Sequence, residues 1–169
     1  GQKTWRQDVD EQGSEHEAEA IRSVAAELVT KPEAFAEGLP WLMTEDAERR
    51  SLLFRELGKQ DRGERLLEPV LEGSGGRFWA EAVAAYFQGW HEAEPEAAAR
   101  SLDTLIASRP DLSSGTLAAT IYLPTSSETP SRVRRIADHG RISRLEVARE
   151  IGLGLGWERL SASEAENLI

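Results

Sequence analysis

Apolar residues in this chain return every three or four positions and almost never every two, so the pattern predicts helix after helix and hardly any strand. Ser14 with Glu17 makes a capping box, and Ile21, Ala25 and Leu28 follow at helical spacing. In "KPEAFAEGLPWL", Pro32 marks a helix start and Gly38-Leu39-Pro40 its stop. Thr44 opens the next helix with Glu45 and Asp46 at its positive end. Leu53, Phe54 and Leu57 form its buried face, and Gly58 is placed to end it. Leu66, Leu67, Val70 and Leu71 mark a short helix closed by glycines at Gly73 to Gly76. Phe78, Ala82, Val83, Tyr86, Phe87 and Trp90 define a strong helix, and Pro95 starts another carrying Leu102, Leu105 and Ile106, which Pro110 ends.

The stretch "SGTLAATIYLP" is ambiguous. Thr116, Thr120, Ile121 and Tyr122 favour strand, while Leu117, Ala118 and Ala119 favour helix. With no partner strand in sight, helix is the expectation over 113–123. A loop rich in turn formers covers Pro124 to Pro130, and helix signals resume at Ser131. Ser143 with Glu146 and Ser161 with Glu164 are further capping boxes.

Helix starts near Glu45, Arg77, Ser113 and Ser143 imply a loose repeat in which each unit holds two helices. A short helix pair cannot bury its apolar face alone, so the expected fold is all-α: short antiparallel helix pairs stacked as an α-solenoid-like, right-handed array. An irregular helical bundle is the alternative. The expected division is a flexible lead-in over 1–13, polar apart from Trp5, and one helical-repeat domain over 14–169. A start at Gly1 and an apolar end at Leu168 and Ile169 read as a piece of a longer polypeptide.

Trp79, Ala82, Val83 and Tyr86 have the spacing of the first helix of a tetratricopeptide repeat, and Ala98, Leu102, Leu105 and Pro110 that of its second. The segment resembles a degenerate unit of that family: three residues too many separate its helices, and Ala82-Val83 stands where the family has Leu-Gly. The other units depart from the pattern, so the resemblance is to a mixed tetratricopeptide- or HEAT-like α-solenoid. It implies a protein-binding surface or scaffold.

Composition narrows the chemistry. With 169 residues, 40% hydrophobic and 30% charged, the chain suits one soluble domain able to bury a substantial core. It has no cysteine, which removes disulfides, thiolate metal sites and a cysteine nucleophile and is compatible with a reducing compartment; the expected location is cytoplasmic. No apolar run is long enough to span a bilayer, so no membrane association is expected. The net charge of −10 is lopsided: residues 1–100 hold 21 acidic and 12 basic residues, the remainder 9 and 8. The acidic part repels phosphate backbones. A nucleic-acid reading therefore rests on Arg132, Arg134, Arg135, Arg141, Arg144 and Arg149.

"LEVAREIGLG" suggests the first helix and turn of a DNA-reading helix-turn-helix, with Ala148 and Gly152 four apart. The second helix fails it. Gly152, Gly154 and Gly156 run through its start, and each helix-interior glycine costs about 1 kcal/mol relative to alanine. Val147, Ala148 and Ile151 read better as a buried helix face with Gly152 as C-cap. The same glycines lack the preceding strand of a dinucleotide fingerprint, and the glycines before Arg77 lack a phosphate loop's Lys-Ser/Thr pair. His16, His91 and His139 are far apart and fit helix ends, so no metal, cofactor or catalytic set is expected. Of the five tryptophans, Trp79 reads as core. Trp41, Trp90 and Trp157 are candidates for partner contact, since aromatics dominate interaction hot spots. The reading is a non-enzymatic protein-interaction or scaffold module, whose partner is another protein or other domains of a parent chain. A nucleic-acid-binding module and a ligand-binding regulatory domain are the alternatives.

Overall fold

The computed structural model describes the backbone of residues 5–73 and 78–154, and the side chains of residues 15–73 and 78–152. Among them the chain is all-α, with nine α-helices and no strand: α1 (Trp5–Thr30), α2 (Pro32–Leu42), α3 (Arg50–Asp61), α4 (Leu67–Glu72), α5 (Trp79–Ala93), α6 (Pro95–Ser108), α7 (Ser113–Tyr122), α8 (Thr129–His139) and α9 (Arg144–Gly154). Pro110–Leu112 forms a single 3-10 turn between α6 and α7.

Alternate helices pack in a row. α1 lies against α3, α3 against α5, α5 against α7 and α7 against α9. α5, α7 and α9 begin at Trp79, Ser113 and Arg144, close to the helix starts expected near Arg77, Ser113 and Ser143, whereas α3 begins at Arg50, later than the start expected near Glu45. Behind the row α6 touches α5, α7 and α8, while α2 rests on α1 and α4 on α5. In α5, Ala82, Val83, Tyr86 and Phe87 are enclosed, and Trp90 stacks on Phe87 with ring centres 5.6 Å apart. Phe35 of α2 meets Phe54 of α3 edge-on at 5.9 Å. Such aromatic pairs add roughly 0.5–1.5 kcal/mol to the burial of their area.

Segment 113–122 is helix, and its β-branched residues fit because their hydroxyls bond the helix itself. Thr116 Oγ1 donates to the Leu112 and Ser113 carbonyls, and Thr120 Oγ1 donates to the Thr116 carbonyl at 2.8 Å. The Ser143 capping box also forms. Ser143 Oγ accepts the Glu146 N–H at 3.2 Å, and the Glu146 carboxylate accepts the Ser143 N–H at 3.1 Å.

Several boundaries differ from expectation. α1 begins at Trp5, so residues 5–13 are helical and the Ser14–Glu17 pair lies inside a helix rather than at its start. α2 runs through Pro40 to Leu42 instead of stopping at Gly38. A proline there removes one N–H bond to Ala36, whose exposed position leaves that carbonyl to water. Thr44 does not open a helix: its hydroxyl turns back to the Trp41 carbonyl at 2.7 Å, and α3 starts only after Arg49 has taken a left-handed φ of 59°. Gly58 is interior to α3, whose C-cap is Arg62, at φ 53°. α9 continues past Gly152 to Gly154. Gly75, Gly76, Trp157 and the Ser161–Glu164 box lie outside the described residues.

Buried polar groups tie the connections down. The Asp61 carboxylate, at the end of α3, accepts the N–H groups of Arg65 and Leu66 at 3.0 and 2.9 Å, satisfying donors at the approach to α4. The Tyr86 hydroxyl of α5 donates to the same carboxylate and accepts the Gly63 N–H at 3.1 Å. Ser113 Oγ donates to the Pro110 carbonyl and accepts the Arg141 N–H at 2.9 Å, joining the α6–α7 and α8–α9 connections.

Candidate functional site

Phe35, Leu39 and Leu42 recur on one face of α2 and bury it, which leaves Trp41 on a different bearing. Trp41 is 58% exposed. On α1, Ala25 takes the buried position, Ile21 is half-buried, and Val24 is left 48% exposed. Ile21, Val24 and Trp41, with Ala20, Leu42, Ala47 and Leu53, line a groove of about 220 Å³ between α1, α2, the 43–49 connection and α3.

The groove keeps its shape because Arg49 and Arg50 are anchored. Arg50 is buried, and its guanidinium donates to the carbonyls of Leu42 and Thr44 at the end of α2, where helix carbonyls lack partners. Its guanidinium carbon also lies 3.9 Å from the centre of the Phe78 ring, and Glu81 stands 3.7 Å from one of its nitrogens. Arg49 Nε bonds Glu17 of α1 at 2.6 Å. The 43–49 connection is thus tied to α1 through Arg49 and to α3 through Arg50, which itself reaches Glu81 of α5, and Ala47 packs inward.

The other candidate aromatics are placed differently. Trp90 is 6% exposed: its ring packs beside Tyr86, Phe87 and Gly63, and its indole N–H has no acceptor among the described residues. It is a core side chain rather than a contact surface, because the tight turn at Gly63 brings the α3–α4 connection over it. Trp79 is also in the core, donating from Nε1 to the Val70 carbonyl at 2.9 Å.

The arginines do not form one patch. Arg132 and Arg135 of α8 both bond Asp103 of α6, Arg132 as a two-point fork at 2.9 and 2.8 Å and Arg135 at 2.6 Å. These bonds hold the Asp103 carboxyl below its ordinary value, against the opposing effect of burial. Arg134 reaches Asp138 at 4.0 Å and Arg149 reaches Glu150 at 3.1 Å. Arg141 and Arg144 make no ion pair among the described residues.

His16 and His139 are exposed on α1 and α8, and His91 sits in the last turn of α5. Among the described residues no group of His, Cys, Asp and Glu side chains is arranged to hold a metal ion. No helix among the described residues is long and apolar enough to cross a membrane.

The sequence reading singled out Trp41 but not Val24, Ala47 or Arg50. Val24 carried no distinguishing signal: three positions after Ile21 and four before Leu28, it reads as one more residue of the Ile21–Ala25–Leu28 stripe. Arg50 carried none, because a charged residue at a helix start gives no sign that it will be buried. The chain matches no known protein family, no curated protein and no solved structure.

Proposed function

We propose that this chain is a non-enzymatic protein-interaction module, a scaffold of stacked helix pairs related in plan to the α-solenoid repeats. The observation that carries the reading is the groove bearing Trp41 and Val24, two apolar side chains left about half exposed beside Ile21 on a well-packed helical frame. Tryptophan, with tyrosine and arginine, is among the side chains most enriched at interface hot spots. The row from α1 to α9, with α6 and α8 in contact behind it, supports the stacked-repeat reading. The α5–α6 pair stands where the tetratricopeptide-like unit was read.

The alternative of nucleic-acid binding is less well supported. It needs clustered free cations, and Arg132 and Arg135 are already engaged by Asp103.

The test is capture from a lysate of the source cells with two baits, the wild type and Trp41→Ser. A discrete set of proteins retained by the wild type and lost by the variant supports the module. Nucleic acid that leaves with salt, and is lost on Arg141→Glu with Arg144→Glu, overturns it.

A further inference from the structure

Resting on that reading, we propose that the groove takes an amphipathic helix of a partner protein, with large apolar residues on the face that enters and lysines or arginines along its flanks. The groove's size comes first. At about 220 Å³ it falls below the roughly 300–1,000 Å³ that houses a small-molecule ligand, and its lining is mostly apolar, so it suits apolar side chains presented by a surface. Its walls are two helices and the start of a third, the setting in which a helix lays anchors at i, i+3, i+4 and i+7.

Charge then selects the partner. From Glu15 to Glu48 the chain carries nine acidic residues against only Arg22 and Lys31. Both cations are spoken for: Arg22 pairs with Glu19, and Lys31 with Glu27 at 2.7 Å. The two arginines of the groove wall are held as well, Arg49 by Glu17 and Arg50 by backbone carbonyls and Glu81. Glu48 lies on the wall itself, and Glu37 is one helical turn before Trp41; both are exposed and make no ion pair among the described residues. A flanking cation on the partner therefore meets acids rather than competing cations. The same argument opposes a second copy of the chain, whose net charge is −10.

The experiment uses two labelled synthetic helical peptides with the same leucine stripe, one with lysines and one with glutamates at every other position, titrated into the whole chain by fluorescence anisotropy. The lysine peptide binds at least tenfold more tightly than its twin, and raised salt narrows the gap. Trp41→Ser weakens its binding at least tenfold, and Glu37→Lys with Glu48→Lys narrows the preference for lysine while the leucine stripe still binds. The urea midpoint of each variant confirms that it is folded. Equal binding of the two peptides, both weakened by Trp41→Ser, overturns the basic partner and leaves the interaction module standing. Binding untouched by Trp41→Ser, or no binding of either peptide, overturns the groove as the docking site. Concentration-dependent dimerisation abolished by Trp41→Ser overturns it in favour of a second copy.

Discussion

Gly58 of α3 and Gly89 of α5 lie where the two helices touch backbone to backbone. A Cβ on Gly58 would stand 1.9 Å from the Tyr86 carbonyl oxygen, and one on Gly89 would stand 1.7 Å from that of Arg55. No side chain can give way there, because the obstacle is main chain on both sides. This closeness lets α5 sit deep between α3 and α7 and brings Tyr86 within reach of Asp61.

Alanine at these positions therefore acts against its usual effect. In an open helix interior, glycine to alanine stabilises by about 1 kcal/mol. Gly89→Ala should instead cost about 3 kcal/mol or more, since α3 and α5 must move apart. Gly38→Ala, in α2 with nothing within 4 Å of the added carbon, should gain up to about 1 kcal/mol. Urea unfolding midpoints, lower for the first and higher for the second, check the pair.

Gly58 also shows where sequence reasoning stops. Glycine after Leu57 reads as a helix end, because a lone sequence cannot tell a left-handed cap from a place where another backbone presses close. The same limit explains Thr44, which has the residue type of an N-cap and the acids of a first turn. Its hydroxyl went instead to the end of the helix behind it. What the sequence did carry was local: the 3–4 spacing of the strong helices and the Ser143–Glu146 box. What it did not carry was pairing at a distance, such as the burial of Arg50 against α2 and the enclosure of Trp90 by the turn at Gly63.

Segment 113–122 offers a direct test of how its mixed signals were resolved. Thr120 is buried, and its hydroxyl has only the Thr116 carbonyl, which the helix ladder also uses. Thr120→Val keeps the shape and removes a polar atom whose loss orphans nothing. It should change stability by less than about 1 kcal/mol, in either direction. A large loss on thermal or urea unfolding would show that the hydroxyl holds the helix in a way this geometry does not provide.

Tyr86 should make stability fall in alkali. Burial, and next the bond to the Asp61 carboxylate, hold its phenol far above the ordinary value of about 10. A group whose folded pKa is raised lends stability that is whole below its unfolded pKa and drains away above it, so the loss should set in as pH rises past about 10. Tyr86→Phe leaves the Asp61 carboxylate without its phenolic donor and should cost about 1–3 kcal/mol at neutral pH. It should also flatten the alkaline fall. Unfolding midpoints of both proteins across the alkaline range measure the two effects together.

Asp103 gives the opposite dependence. Its carboxyl is held below the ordinary value by the bonds from Arg132 and Arg135, so its contribution is present above the unfolded carboxylate pKa of about 4 and is lost as pH falls through the folded one. Breaking a fully buried ion pair costs roughly 3–5 kcal/mol. Here the Arg132 side chain is 8% exposed but that of Asp103 is 36% exposed, so water screens part of the interaction. Asp103→Asn should accordingly cost about 1–2 kcal/mol at neutral pH. The penalty should begin to shrink below pH of about 4, where the carboxyl of the unfolded chain takes up its proton, and the two stability curves should converge once pH has fallen through the lower folded value. Curves that stay parallel into acid would mean that Asp103 acts through shape alone. The variant has a second use. It removes the charge that offsets Arg132 and Arg135 beside Arg134, so any affinity for single-stranded DNA should rise in Asp103→Asn relative to the wild type and fall with salt.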